Sequence, residues 1–85
     1  MADRTATVET ARSAERQVFP KNAVERVEVW AEPYRGQELV QARVHYQDPD
    51  TGEWRPTKKG LSLSPELAAQ VAAAMADRAR ALLGD

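Results

Sequence analysis

Two runs of strictly alternating residues, separated by a short Gly-containing loop, constrain this chain more than anything else in it. In residues 24–32 (VERVEVWAE), Val27, Val29 and Ala31 point one way and Arg26, Glu28, Trp30 and Glu32 the other. Residues 38–46 (ELVQARVHY) repeat the pattern, with Val40, Ala42 and Val44 opposed to Gln41, Arg43 and His45. A period of two is the signature of a half-buried strand. Between the runs, Pro33-Tyr34-Arg35-Gly36 supplies turn chemistry, because Pro presets φ and Gly permits positive φ. The spacing predicts an antiparallel hairpin.

Asp48-Pro49-Asp50-Thr51-Gly52 predicts a second turn, and residues 53–63 a further strand. Pro56 has no N–H to give to a ladder, so the start of that strand belongs at an edge or a bulge. Gly60 marks a bend, after which Leu61 and Leu63 face the core. Ser64-Pro65-Glu66 is a helix start: Ser caps free N–H groups, Pro suits the first helical position, and Glu favours the positive helix end. The helix runs to about Leu83 and stops at Gly84. At helical period, Leu67, Val71, Ala74, Met75, Arg78 and Leu82 share one stripe. Arg78 either snorkels there, near the helix end that favours a cation, or bridges to a second subunit. An antiparallel sheet followed by one long helix is an α+β fold.

Residues 1–17 are polar, without sustained period, and read as a flexible arm; residues 18–85 form the domain. The arm's cations, Arg4, Arg12 and Arg16, are offset by Asp3, Glu9 and Glu15. A domain this small buries a marginal core by itself. With no Cys to form disulfides, self-association is the simplest further source of buried area. No apolar run is long enough to cross a membrane and no secretory signal is present, so a cytoplasmic location is expected, nucleoid-associated if the source is bacterial.

Catalytic chemistry finds little to work with. His45 is the only histidine, and no thiol accompanies it. Ser62 and Ser64 lack a nucleophile elbow, and Ser64 already serves as a cap. Scattered carboxylates with one imidazole make no metal site, and Lys58-Lys59-Gly60 does not have the spacing of a phosphate loop. No enzyme activity, cofactor or metal is expected.

The polar face is more informative. Arg35, Arg43, Arg55, Lys58 and Lys59 fall on or beside the strands, with Tyr34, Tyr46, Trp30 and Trp54 among them. Interleaved cations and aromatics suit a surface that binds single-stranded nucleic acid by charge and stacking. The plainer account is a solvated strand face that discourages edge pairing, with Trp54 covering the core rim. A formal net charge of −1 means that any basic surface must come from local segregation of charge.

From Arg26 to Leu83 the chain resembles the positive cofactor 4 family of transcriptional coactivators. The resemblance is carried by Val29, Tyr34-Arg35-Gly36, Arg43, Tyr46, Asp48-Pro49, Gly52-Glu53, Pro56 and the run from Lys58 to Glu66. It implies a curved four-stranded antiparallel sheet with one long helix, and a homodimer built through the helices. Leu67, Val71, Met75, Arg78 and Leu82 are then the interface residues. It also implies grooves for single-stranded or melted DNA, with Tyr34, Arg35, Arg43, Tyr46, Lys58 and Lys59 as contacting positions; Trp54 and Arg55 join them from the interleaving. The chain departs from the family pattern at Glu32 and Gln37, where basic residues are common, at Tyr46, where Trp is usual, and at Pro33. The first strand is poorly matched by Val18-Phe19-Pro20, so three to four strands are expected. Strict alternation puts Tyr46 beside Val44, and stacking on bases then needs a twist or bulge near the strand end.

Two functions follow as expectations. The leading one is a homodimeric single-stranded DNA-binding protein, largely indifferent to sequence, acting as a transcription regulator or coactivator. The alternative keeps the same dimer but uses the sheet face to engage a transcription or repair protein, or binds RNA.

Overall fold

The computed structural model describes residues 15–84. Four strands, β1 (Gln17–Pro20), β2 (Glu25–Tyr34), β3 (Gln37–Gln47) and β4 (Trp54–Leu63), precede one helix, α1 (Pro65–Leu83). The strands form one antiparallel sheet in sequence order, β1-β2-β3-β4. Residues 1–14 of the expected arm lie outside the described residues. Its last residue, Gln17, is the first of β1, which stays short and exposed at the sheet edge.

The β2–β3 ladder runs without interruption from Tyr34·Gln37 at the tip to Glu25·Tyr46 at the far end. Arg35 (φ 52°) and Gly36 (φ 79°) make the connection. Positive φ at both positions is the type I′ geometry, whose twist matches that of the strands. β2 continues through Pro33, which stands opposite Glu38. Hydrogen-bonded and non-bonded pairs alternate in an antiparallel ladder. With Tyr34·Gln37 closing the turn, the next pair makes no demand on the N–H that Pro33 lacks.

The β3–β4 turn is fastened by Asp48, whose Oδ1 accepts from the Asp50 N–H at 2.8 Å and whose backbone oxygen accepts from the Gly52 N–H at 2.8 Å. Pairing then slips. His45 stands opposite Pro56 and Arg43 opposite Gly60, so residues 57–59 bulge out across from Val44. Thr57 organises the bulge. Its hydroxyl donates to the Val44 oxygen at 2.7 Å and accepts from the Lys59 N–H at 3.1 Å, while Arg43 Nη1 donates to the Thr57 oxygen at 3.0 Å. Pro56 thus lies on an edge strand beside a bulge, as its missing N–H predicts.

Gly60 is required by the same arrangement. A Cβ there would sit 2.8 Å from the Ala42 carbonyl oxygen and 2.8 Å from the Arg43 guanidinium carbon. The arginine can lie flat across this strand only because residue 60 has no side chain.

α1 begins at Ser64, whose Oγ accepts from the Leu67 N–H at 3.3 Å, and ends on Gly84 in the left-handed conformation (φ 88°). It lies over β3 and β4. Val27, Val29, Val40, Ala42, Leu61 and Leu63 of the sheet face Ala68, Val71, Ala72 and Met75 of the helix across an apolar gap of about 270 Å³. Among the described residues no hydrophobic side chain is buried. Leu61 is 47% exposed, Met75 64% and Leu82 88%. The buried side chains are instead polar: Glu28, Gln41 and His45, all on the sheet face away from the helix. Among the described residues no helix is long and apolar enough to cross a membrane.

Candidate nucleic-acid interface

Alternation and register together sort the polar side chains. Glu28 pairs with Arg43, Arg26 with His45, Trp30 with Gln41, and Gln47 with Trp54. These side chains share one face and, Gln47 apart, line an open cleft of about 450 Å³, with Arg16, Glu32 and Pro56 completing its wall.

Glu28 sits at the centre, 3% exposed. Its Oε1 accepts from Arg16 Nη1 at 2.8 Å and its Oε2 from Arg26 Nε at 2.7 Å. Burial alone would raise the carboxyl. The hydrogen bonds from Arg16 and Arg26, with the charge of Arg26 nearby, outweigh it and hold Glu28 below the usual carboxylate range. Each of the two guanidiniums also covers an indole. Arg16 lies 3.9 Å from the centre of the Trp30 ring, and Arg26 lies 4.1 Å from that of Trp54. Trp30 Nε1 donates to Glu32 at 2.6 Å, and the His45 ring meets Trp30 edge-on with centroids 5.9 Å apart.

The sequence-predicted positions fall into four places. Arg43 and Trp54 lie in this cleft. Tyr34 and Arg35 form the hairpin tip, where the Arg35 guanidinium lies 5.3 Å from the Tyr34 ring centre and the tyrosine is 57% exposed. Lys58 and Lys59 occupy the bulge, exposed. Tyr46 pairs with Arg55 on the side of the sheet that carries Val44, because the β2–β3 register has no irregularity to turn Tyr46 over. Arg55 is neutralised locally by Asp48 at 2.9 Å and Glu53 at 3.3 Å. Asp48 in turn is held below its ordinary range, first by the Asp50 N–H and then by Arg55. Arg35, Arg43, Lys58 and Lys59 make no ion pair among the described residues.

Sequence reasoning passed over Arg16, Arg26, Glu28, Gln41 and His45 as site residues. Four of them were readable from the alternation that sets Arg26 and Glu28 on the face of Arg43 and His45. Arg16 precedes β1 and carries no periodic signal.

The expected dimer residues lie along the exposed side of α1. Val71, Met75, Arg78 and Leu82, with Ala74 and Ala79, form an apolar groove of about 470 Å³. Leu67 lies nearer the helix start, 46% exposed.

Among the described residues, an open four-stranded sheet followed by one helix, with arginines, lysines and aromatic rings on the sheet, makes an α+β module. The profile of the family described as Transcriptional Coactivator p15 (PC4) matches residues 19–74, and the chain belongs to that family. Its fold is similar to that of BPSL1147, a PC4 homolog from Burkholderia pseudomallei, solved in two crystal forms. Identity is 33% and the TM-score 0.69 for both; the match covers 80% of this chain and 92% of the orthorhombic or 100% of the tetragonal form. No curated protein matches the chain.

Proposed function

We propose that the protein is a homodimer that binds single-stranded DNA with little regard for sequence and acts in transcription as a regulator or coactivator. The observation that carries this reading is the set of cations without ion pairs on the sheet rim: Arg35 against the exposed Tyr34 ring at the tip, and Lys58-Lys59 thrown out by the bulge. Bases stack on Tyr34, and phosphates meet Arg35, Arg43, Lys58 and Lys59; Tyr46 stays on the Val44 side of the sheet and is left out of the stacking surface. Every base has a π-face, so such contacts carry little sequence information. Membership of a coactivator family supports the role in transcription.

The dimer reading rests on exposed apolar surface. A fully buried Leu or Met side chain stabilises by about 1.5–3 kcal/mol, and along α1 that gain is unrealised in a single chain. A second copy packing on the groove of Val71, Met75, Arg78 and Leu82, with Leu67 at its end, recovers it.

Titration of fluorescein-labelled oligo-dT, followed by anisotropy, tests the function against a fully paired duplex of the same length. Preference for the single strand is expected. α1 is committed to packing and offers no recognition helix for a groove, so equal or tighter duplex binding contradicts the mechanism. Sedimentation at micromolar concentration tests the dimer, and a monomer alone would remove it.

A further inference from the structure

On the reading above, single strands meet the rim of the sheet. The cleft behind that rim holds both tryptophans of the chain, and each has a guanidinium lying on its ring. One carboxylate holds the two cations in place, an oxygen of Glu28 for each. Glu28 is buried, but the side chain of Arg16 is 49% exposed and that of Arg26 27%. A planar cation on an indole face fills the space that a stacked base takes. A carboxylate between two guanidiniums supplies the charge that a phosphate supplies. The free protein therefore satisfies internally the two contacts, stacking and charge pairing, by which proteins hold single strands.

We propose that Trp30 and Trp54 form a latent base-stacking subsite for single-stranded nucleic acid. It is closed in the free protein by Arg16 and Arg26 on Glu28, and it opens when backbone phosphates draw the guanidiniums outward. The inference rests on the nucleic-acid reading and extends it from the rim into the cleft. Arg16 leaves first, since it is half exposed and precedes β1. Leaving Glu28 without its partners is costly, and that cost keeps the subsite shut until phosphates replace the carboxylate. Glu28 thereby sets the affinity of the whole face.

Because Trp30 and Trp54 are the only two tryptophans, emission excited at the red edge, where tyrosine does not absorb, reports the cleft. Oligo-dT is titrated into wild type, Glu28→Gln and Arg16→Ala, with anisotropy of the labelled oligonucleotide and tryptophan emission recorded together over a range of salt. Wild type is expected to bind with quenching of its emission. Glu28→Gln is expected to bind several-fold more tightly with an unchanged salt slope, because the phosphate contacts are the same and opening no longer leaves a buried carboxylate without its partners. Arg16→Ala, which touches a half-exposed residue outside the strands and keeps the fold, is expected to retain quenching. It lowers the log–log slope by about 0.7, the share of one phosphate contact on a single strand. Binding without quenching in all three proteins overturns the subsite and leaves the rim reading intact. An unchanged slope in Arg16→Ala overturns the release of that guanidinium. No anisotropy change in any of the three overturns both readings.

Discussion

Replacing Lys58 and Lys59 together by Ala separates cations that are free to meet phosphates from cations already spent within the protein. Both lysines project from the bulge opposite Val44 without an ion pair among the described residues. Arg55, a few residues away, is held by Asp48 and Glu53. On a single strand each phosphate neutralised contributes about 0.7 to the slope of log affinity against log salt, so the double variant should be shallower by about 1.4. Between about 50 and about 200 mM salt, wild type should then lose about sevenfold more affinity than the variant. Arg55→Ala serves as the control, because removing a cation already neutralised should leave the slope nearly unchanged. The assay is oligo-dT anisotropy at four or more salt concentrations for the three proteins. A double variant that keeps the wild-type slope and affinity would show that the lysines are only a solvated strand end. The sheet face would then be better read as a protein-docking surface. An Arg55→Ala variant as shallow as the double variant would refute the distinction between paired and unpaired cations.

Other expectations follow from the same geometry. Tyr34→Ala should weaken oligo-dT binding by roughly 1–3 kcal/mol without changing the salt slope, since a stacked base and not a counterion is lost. Gly60→Ala forces a Cβ to within 2.8 Å of the Ala42 oxygen; overpacking of about 1–3 kcal/mol should lower Tm by at least about 4 °C, and an unchanged melting curve would deny that the strands are this close. Met75→Glu places a charge in the exposed helix groove, and sedimentation should show it as a monomer where wild type is a dimer. The Glu28 carboxyl is lowered in the folded state. Its stabilisation is therefore complete above the unfolded carboxylate range, about 4.3, and lost as pH falls through the lower folded value. Melting profiles should fall on the acid side of about pH 4, and Glu28→Gln should flatten that limb.

Much of the fold could be read from the chain because its signals are local. The alternation of Val27-Val29-Ala31 and Val40-Ala42-Val44 is self-contained, and so are the Gly36 turn and the Ser64-Pro65-Glu66 helix start; each appears where its residues require. β1 was harder, since Gln17–Pro20 has no alternation and is held by pairing to β2. The bulge was half legible: Pro56 and Gly60 mark its ends, but the role of Thr57 depends on the Val44 oxygen across the sheet. The candidate site was least legible at Glu28. A carboxylate in an alternating strand reads as a solvated side chain. What buries this one is an arginine twelve residues upstream, and such a long-range ion pair leaves no periodic trace. Tyr46 shows the reverse: parity in β3 put it beside Val44, and the unbroken register keeps it there.

The hairpin tip bears on any attempt to redesign the protein. A type I′ turn is best served by Asn-Gly, and a side chain such as arginine in the left-handed region costs roughly 1–2 kcal/mol. Arg35 accepts that cost at φ 52°. Selection for folding alone would replace it with Asn, gain thermal stability, and delete the cation that lies over Tyr34. A stabilised variant chosen by melting temperature would thus carry its defect at the tip of the sheet, invisible to every assay of folding. A consensus or computational redesign of this domain should hold residue 35 fixed and seek its stability elsewhere.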